Sequence, residues 1–171
     1  MNDSPTKILG IDPSTTTLGW CLAESNPLNI INYGVIKFKS KQKLESKLYQ
    51  IFVSISNLIE KDPPHVLGIE NVFMNLGAMS SFAMQGAKTA CIIAFIDHYQ
   101  RTHTQENPPI HQISPKVMKK KITGNGNATK EEVAKTVSST FNLNIDGLPL
   151  DATDAIGIAY CTHMILTKQD N

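Results

Sequence analysis

The 171-residue sequence predicts an α/β fold in which one mixed β-sheet is covered by helices, in a single domain spanning residues 1–171. The hydrophobic patterns follow the order three strands, helix, strand, helix, strand and then helices. The strand, helix and strand in the middle of this order are what a parallel crossover requires. A chain of this length that is 41% hydrophobic and 18% charged usually closes one core rather than two.

The first half of the chain supplies four predicted strands and one helix. Short apolar runs bounded by turn residues predict strands over 7–12, 18–23 and 29–36, and the short loops between them favour antiparallel neighbours. Apolar residues then recur at steps of three and four from Leu44 to Ile59, which predicts an amphipathic helix terminated by Pro63 and Pro64. A further apolar run over 66–70 predicts a strand parallel to an earlier one.

The second half is mainly helical. A strongly apolar helix with many small residues is predicted over 80–99, followed by an edge strand over 109–113. Pro115 is expected at the first helical position of the next helix. Thr129 and Glu132 have the spacing of a capping box, which predicts a helix over 130–139, and a closing helix is predicted over 150–166.

Several classes of protein are disfavoured by composition. The longest uninterrupted apolar run, 90–96, is far shorter than the roughly 18–20 residues that span a bilayer, so no membrane span is predicted. The first residues lack the pattern of a signal peptide, and a cytoplasmic location is expected. Cys21, Cys91 and Cys161 are widely spaced among apolar neighbours, which predicts buried free thiols rather than disulfides or a zinc site.

The formal net charge of +1 conceals an uneven distribution of charge. Residues 37–47 and 116–130 together carry ten of the 16 basic residues and only one of the 15 acidic residues. The rest of the chain is therefore acidic, and the near-zero total does not exclude a polyanionic partner.

Four of the acids are flanked by apolar residues and need an explanation. Asp12 and Glu70 each end a predicted strand, and Asp151 and Asp154 stand three apart at the start of the last helix. Each has a purely structural alternative: an Asx turn, a solvated strand end, or a helix cap with an acid in the first turn. Their conjunction favours one acidic pocket, because carboxylates beside a core are normally paired or bound to metal.

Converging carboxylates suit hard cations that prefer oxygen ligands, above all Mg²⁺. Two such ions about 3.5–4 Å apart can activate water and stabilise the leaving oxygen in an in-line phosphodiester displacement. The predicted pocket therefore favours nuclease chemistry.

Four motifs, over 7–13, 69–74, 124–130 and 151–155, strongly resemble those of the RuvC Holliday junction resolvases, which have an RNase H-like fold. The resemblance covers nearly the whole chain. It implies a five-stranded mixed sheet flanked by helices, a homodimer, and paired symmetric nicking of four-way DNA junctions in recombination and repair. The expected products are 5′-phosphate and 3′-hydroxyl ends, the expected cofactor is two Mg²⁺ per subunit with Mn²⁺ as a substitute, and the RuvA and RuvB branch-migration proteins are possible partners.

The resemblance also implies roles for individual residues. Asp12, Glu70, Asp151 and Asp154 match the metal-binding and catalytic acids of the family. Lys119 and Lys130 match functional lysines near the scissile phosphate, and Phe73 matches an aromatic residue that touches the junction centre. Additional DNA contacts are expected from Lys116, Lys120 and Lys121. Ordinary core packing remains the alternative for Phe73, and a solvated helix face remains the alternative for the lysines.

The sequence departs from the family pattern at two places. Ser14 stands where the family commonly has glycine, and 85–89 varies a glycine-containing segment of the family's dimer helix. Two other functions stay open at this point. One is a phage-type or RNase H-like nuclease acting on forks, flaps or RNA, and the other is a junction-binding protein without catalysis.

Overall fold

A computed structural model describes residues 5–71, 78–102 and 107–169. The strands are β1 Lys7–Asp12, β2 Thr17–Glu24, β3 Asn29–Lys37, β4 Val66–Glu70 and β5 Ile110–Ile113. The helices are α1 Leu44–Lys61, α2 Ala78–Thr102, α3 Pro115–Thr123, α4 Lys130–Phe141 and α5 Leu150–Gln169. The predicted order of elements is confirmed, with ends that differ by up to three residues.

The five strands form one mixed sheet in the order β3-β2-β1-β4-β5. The β1–β2 and β2–β3 pairs are antiparallel, whereas β1–β4 and β4–β5 are parallel. The carboxyl ends of β1, β4 and β5 therefore meet at one edge of the sheet, together with the start of β2 and the end of β3. The predicted parallel strand is confirmed, because β4 pairs with β1 in parallel. In the chain, β2, β3 and then α1 lie between these two strands.

Helices cover both faces of the sheet, each over its own apolar core. Leu9 and Ile11 of β1 pack in a cluster with residues of α1 and α2. Ile8 of β1 packs on the opposite face, in a cluster with residues of α3, α4 and α5. Because side chains alternate along a strand, Gly10 and Asp12 share the second face with Ile8.

Three glycines allow α5 to lie directly on that second face. A Cβ atom on Gly19 of β2 would lie 1.9 Å from the carbonyl oxygen of Asp151, and one on Gly10 of β1 would lie 2.5 Å from that of Ala155. A Cβ on Gly68 of β4 would lie 2.0 Å from Oγ1 of Thr162. Every other residue type would push the helix away from the strands.

Helix α2 contributes a buried face to the first core. Met79–Thr102 is long and apolar enough, by length and composition, to cross a membrane, and it is the one such helix in the described residues. Its buried residues Cys91 and Phe95 pack in the cluster that contains α1 and the sheet, and a core helix of a globular protein has the same composition. The absence of a membrane span therefore stays a prediction.

The three cysteines are free and buried, as predicted. Burial raises the pKa of each of the thiols Cys21, Cys91 and Cys161, to about 12 in the case of Cys161. Neutral thiols of this kind behave as small apolar side chains.

The contact between Gly19 and α5 predicts the effect of adding one methyl group. Gly19→Ala forces a carbon atom against the backbone of Asp151, and overpacking of this kind costs about 1–3 kcal/mol. We expect the free energy of unfolding, measured by urea denaturation, to fall by at least this amount.

Gly34→Ala is the matched control, because Gly34 lies on the edge strand β3 and the atoms nearest to its Cβ would be those of the Trp20 ring, at 3.3 Å, rather than a backbone. A Gly19→Ala variant as stable as the wild type would show that α5 does not need this close approach.

Candidate active site

Two carboxylates stand side by side at the edge of the sheet. Ile11 of β1 pairs with Ile69 of β4 in the parallel register, so the next residues along, Asp12 and Glu70, are neighbours at the ends of their strands. The alternation of side chains directs both toward the face that α5 covers. Asp12 is 7% exposed, so it is held at the rim of the core rather than in solvent.

Two further carboxylates come from the first turns of α5. Asp151 and Asp154 lie about one turn apart on α5. The backbone of Asp151 lies against Gly19 of β2, and Gly19 pairs with Asp12 of β1. All four acids consequently line one open cavity of about 300 Å³. The structure thus brings together the four acids that the sequence predicted.

Lys130 provides the positive charge within this cluster. Its Nζ atom lies 2.9 Å from Asp151 Oδ1, 2.9 Å from Asp154 Oδ2 and 3.8 Å from Asp12 Oδ2. Lys130 is the first residue of α4, where the predicted capping box of Thr129 and Glu132 is present and fixes the start of the helix. Its side chain is 45% exposed, so its ammonium group is accessible from the cavity mouth.

The pKa values report the crowding of negative charge. Burial, followed by repulsion from Glu70 and Asp154, raises the pKa of Asp12 well above its usual value. Burial, followed by repulsion from Asp154, raises the pKa of Glu70 to about 7, and burial also raises that of Asp154. Burial would lower the pKa of Lys130, but attraction to Asp154 and its hydrogen bonds to Asp151 and Asp154 outweigh that effect and raise it.

The acids are not arranged as a preformed metal cage. Within residues 5–71, 78–102 and 107–169, no group of three or more acidic, histidine or cysteine side chains is positioned to hold an ion. The Lys130 ammonium lies among the carboxylate oxygens instead. Asp154 Oδ1 is nevertheless buried and without a hydrogen-bond partner among the described groups, and a buried carboxylate oxygen of this kind is a suitable ligand for a hard cation.

The other predicted residues lie at different distances from the cavity. Lys119 of α3 lines it. Lys116, Lys120 and Lys121 are exposed on the same helix but do not line it. Phe73 lies outside the described residues, so its predicted role is not addressed by the structure.

One lysine near the site was missed by sequence reasoning. Lys88 of α2 is 6% exposed, and its ammonium donates hydrogen bonds of 2.9 Å to Asn71 Oδ1 and to Gln112 Oε1. It therefore ties together the residue that follows Glu70 and the end of β5, and burial lowers its pKa. The sequence feature that could have indicated this role is a single lysine among the small and apolar residues of the predicted helix.

Comparison with known proteins connects this site to a family. The family model described as crossover junction endodeoxyribonuclease RuvC matches residues 8–163, a range that includes all four carboxylates. The chain belongs to the RuvC family. It is 35% identical over 156 residues to a RuvC from Cytophaga hutchinsonii, covering 90% of this chain and 74% of that protein. It is 34% identical over 158 residues to a RuvC from Anaplasma phagocytophilum, covering 90% of this chain and 92% of the other.

Solved structures of RuvC share the fold of this family member. The Thermus thermophilus RuvC structure superimposes with a TM-score of 0.76 at 22% identity, covering 96% of this chain and 97% of that one. The structure of T. thermophilus RuvC in complex with Holliday junction substrate gives a TM-score of 0.80 at 21% identity, covering 96% of each chain. The predicted RNase H-like fold with a five-stranded mixed sheet is confirmed.

The raised carboxylate pKa values predict a pH dependence of stability without metal. The folded state holds a proton on Glu70 up to about pH 7, whereas the unfolded chain releases it near pH 4.5. The folded state thus binds more protons between these values, so its free energy of unfolding falls as the pH rises through this window. Urea denaturation in EDTA at a series of pH values measures this slope.

Glu70→Gln should flatten the slope, although Asp12 and Asp154 will still contribute to it with the same sign. The exposed Glu45→Gln variant is the control and should keep the wild-type slope. Stability that rises from pH 4.5 to pH 7 in the wild type would contradict the assigned crowding of carboxylates.

Proposed function

We propose that this protein is a metal-dependent endonuclease that resolves four-way DNA junctions by paired symmetric nicks, leaving 5′-phosphate and 3′-hydroxyl ends. The observation that carries the proposal is the convergence of Asp12, Glu70, Asp151 and Asp154 on one open cavity in a member of the RuvC family. The relatives are named crossover junction endodeoxyribonucleases. The T. thermophilus RuvC of the same fold is complexed with a Holliday junction substrate.

The donor set of the cavity fits Mg²⁺. Its four acids offer carboxylate oxygens, which hard cations prefer, and the Oδ1 atom of Asp154 is buried with no hydrogen-bond partner among the described groups. The four acids would hold two Mg²⁺ ions per subunit, with Mn²⁺ as an expected substitute. Bound there, the ions would supply Lewis acidity for attack by water and for departure of the 3′-oxygen.

The lysines at the cavity would act on the DNA itself. The ammonium of Lys130, which Asp151 and Asp154 hold beside the cavity, would pair with a phosphate oxygen of bound DNA. Lys119 lines the same cavity and would hold the scissile phosphate from the α3 side. Lys116, Lys120 and Lys121 extend the positive surface along α3, where they would contact phosphates farther from the cut.

Helix α2 carries an exposed apolar face that supports a homodimer. Met79, Phe82 and Ile93 are 79%, 69% and 51% exposed, and their spacing of three and eleven residues puts them on one side of the helix. A second copy of the chain could cover this face with the same face of its own α2, in a two-fold symmetric contact. Such a dimer would present two equivalent cavities to the two equivalent strands of a junction.

Association with the RuvA and RuvB proteins, the contact of Phe73 with the junction centre and a cytoplasmic location stay predictions of the sequence.

Loss of one carboxylate should separate DNA binding from cleavage. Asp154→Asn keeps the shape of the side chain but removes its charge, so we expect junction affinity to be kept and cleavage to fall by more than 100-fold. This loss exceeds the roughly 10–100-fold cost of losing an outer-shell partner of a metal site. Gel analysis of a labelled four-way junction in Mg²⁺ measures both quantities, with fork, flap and RNA–DNA hybrid substrates as competitors.

Asp146→Asn is the matched control, because Asp146 is exposed in a loop and does not line the cavity. Two outcomes would overturn the proposal: wild-type protein that leaves the junction intact in Mg²⁺ or Mn²⁺, or forks, flaps or hybrids cut in preference to it.

The dimer predicts a change of mass when the α2 face is made polar. Phe82→Glu places a charge on the apolar face and should shift the protein from dimer to monomer in light scattering, while paired nicking is lost. Tyr49→Glu on α1 is the control, because Tyr49 has the same exposed fraction of 69% but lies on another helix. A wild-type protein that is monomeric at micromolar concentration would contradict this assignment.

A further inference from the structure

One of the two lysine clusters in the sequence has no part in the proposed active site. Lys37, Lys39, Lys41 and Lys43 lie at the end of β3 and in the connection to α1, and we call them the β3–α1 lysines. All four are exposed, whereas the nearby Lys47 is buried. No ion pair to any of the four is present among the described residues.

The β3–α1 lysines lie at the same edge of the sheet as the carboxylates. Lys37 pairs with Thr17 at the start of β2, two strands away from Asp12 along that edge. The backbone N–H of Phe38 donates a 2.9 Å hydrogen bond to the carbonyl of Thr16. Thr16 belongs to the turn that follows Asp12, and Ser14 of that turn lines the cavity.

Charge therefore alternates along this edge of the sheet. The β3–α1 lysines stand at the β3 side, the carboxylate cavity lies at β1 and β4, and α3 with its own lysines follows β5 on the other side. Four strand spacings separate β3 from β5, which is about 19 Å. Successive phosphates of one strand advance about 3.4 Å along the axis of a duplex, so an arm lying along this edge would run past it for roughly six base-pair steps.

We propose that the β3–α1 lysines bind the phosphate backbone of a duplex arm of the DNA substrate, on the side of the cavity opposite α3. The proposal rests on the proposed function and adds a second contact surface to it. Residues 37–47 contain five lysines against a single acid, Glu45, so the local charge suits a polyanion. Point charges on flexible side chains favour contact with phosphates over reading of base edges, so this surface contributes affinity without sequence preference.

A charge-matched pair of double variants tests the proposal. Lys39→Gln with Lys41→Gln removes two exposed charges from the β3–α1 lysines. Lys61→Gln with Lys168→Gln removes two from the ends of α1 and α5, where both residues are exposed at the opposite edge of the sheet. Fluorescence anisotropy with a labelled four-way junction, in EDTA over a range of salt concentrations, gives the affinity and its salt dependence.

Loss of two phosphate contacts should reduce the slope of log K against log salt by about 2 and weaken binding at about 0.1 M salt at least about tenfold. In Mg²⁺ the same variant should show a raised KM and an unchanged kcat, because the cavity is intact. The Lys61 and Lys168 control should match the wild type in salt slope, affinity, KM and kcat.

The outcomes separate this inference from the proposed function. If the wild-type protein neither binds nor cuts the junction, the proposed function is overturned. Wild-type protein that binds, together with a Lys39 and Lys41 variant of unchanged slope and KM, would overturn the inference alone. An equal loss in the control variant would also overturn it, because binding would then follow net charge rather than this surface. Unchanged thermal unfolding of both variants verifies that exposed lysines alone were altered.

Discussion

The close approach of α5 to the sheet is the constraint on which the site depends. Gly19, Gly10 and Gly68 lie on the three adjacent strands β2, β1 and β4, and at each of them a Cβ atom would overlap the helix. At Gly19 and Gly10 the missing side chain lets the backbone of α5 rest on the backbone of the strand, and at Gly68 it leaves room for the Thr162 side chain of α5. A helix held one side-chain layer farther away would carry Asp151 and Asp154 out of reach of the acids that end the strands.

This packing concentrates negative charge where the protein can least solvate it. Burial and mutual repulsion raise the pKa of Asp12, Glu70 and Asp154, so the ionised site opposes folding. Lys130 offsets part of this repulsion through its contacts with Asp151 and Asp154. Clustered groups with strongly shifted pKa values are typical of functional sites, where function is often obtained at the expense of stability.

The formal net charge of +1 is the sum of positive and negative charges that lie on different parts of the surface. Acids gather at the centre of one sheet edge, while exposed lysines flank them after β3 and after β5. The positive flanks attract a polyanion, whereas the ionised acids at the centre repel one. Composition alone cannot reveal this division, because it adds the charges without their positions.

The sequence by itself determined the elements and the identity of the four acids, since hydrophobic period, helix caps and strand ends are local signals. For this reason the capping box at Thr129 and the acid that ends β4 could be predicted from the sequence. Only the tertiary structure decided that Lys130 pairs with Asp154, that Lys88 links β4 to β5, and that Gly19 lies under α5. These contacts join residues 17 to 132 positions apart, and they follow from the packing of α2, α4 and α5 on the sheet, which no local pattern encodes.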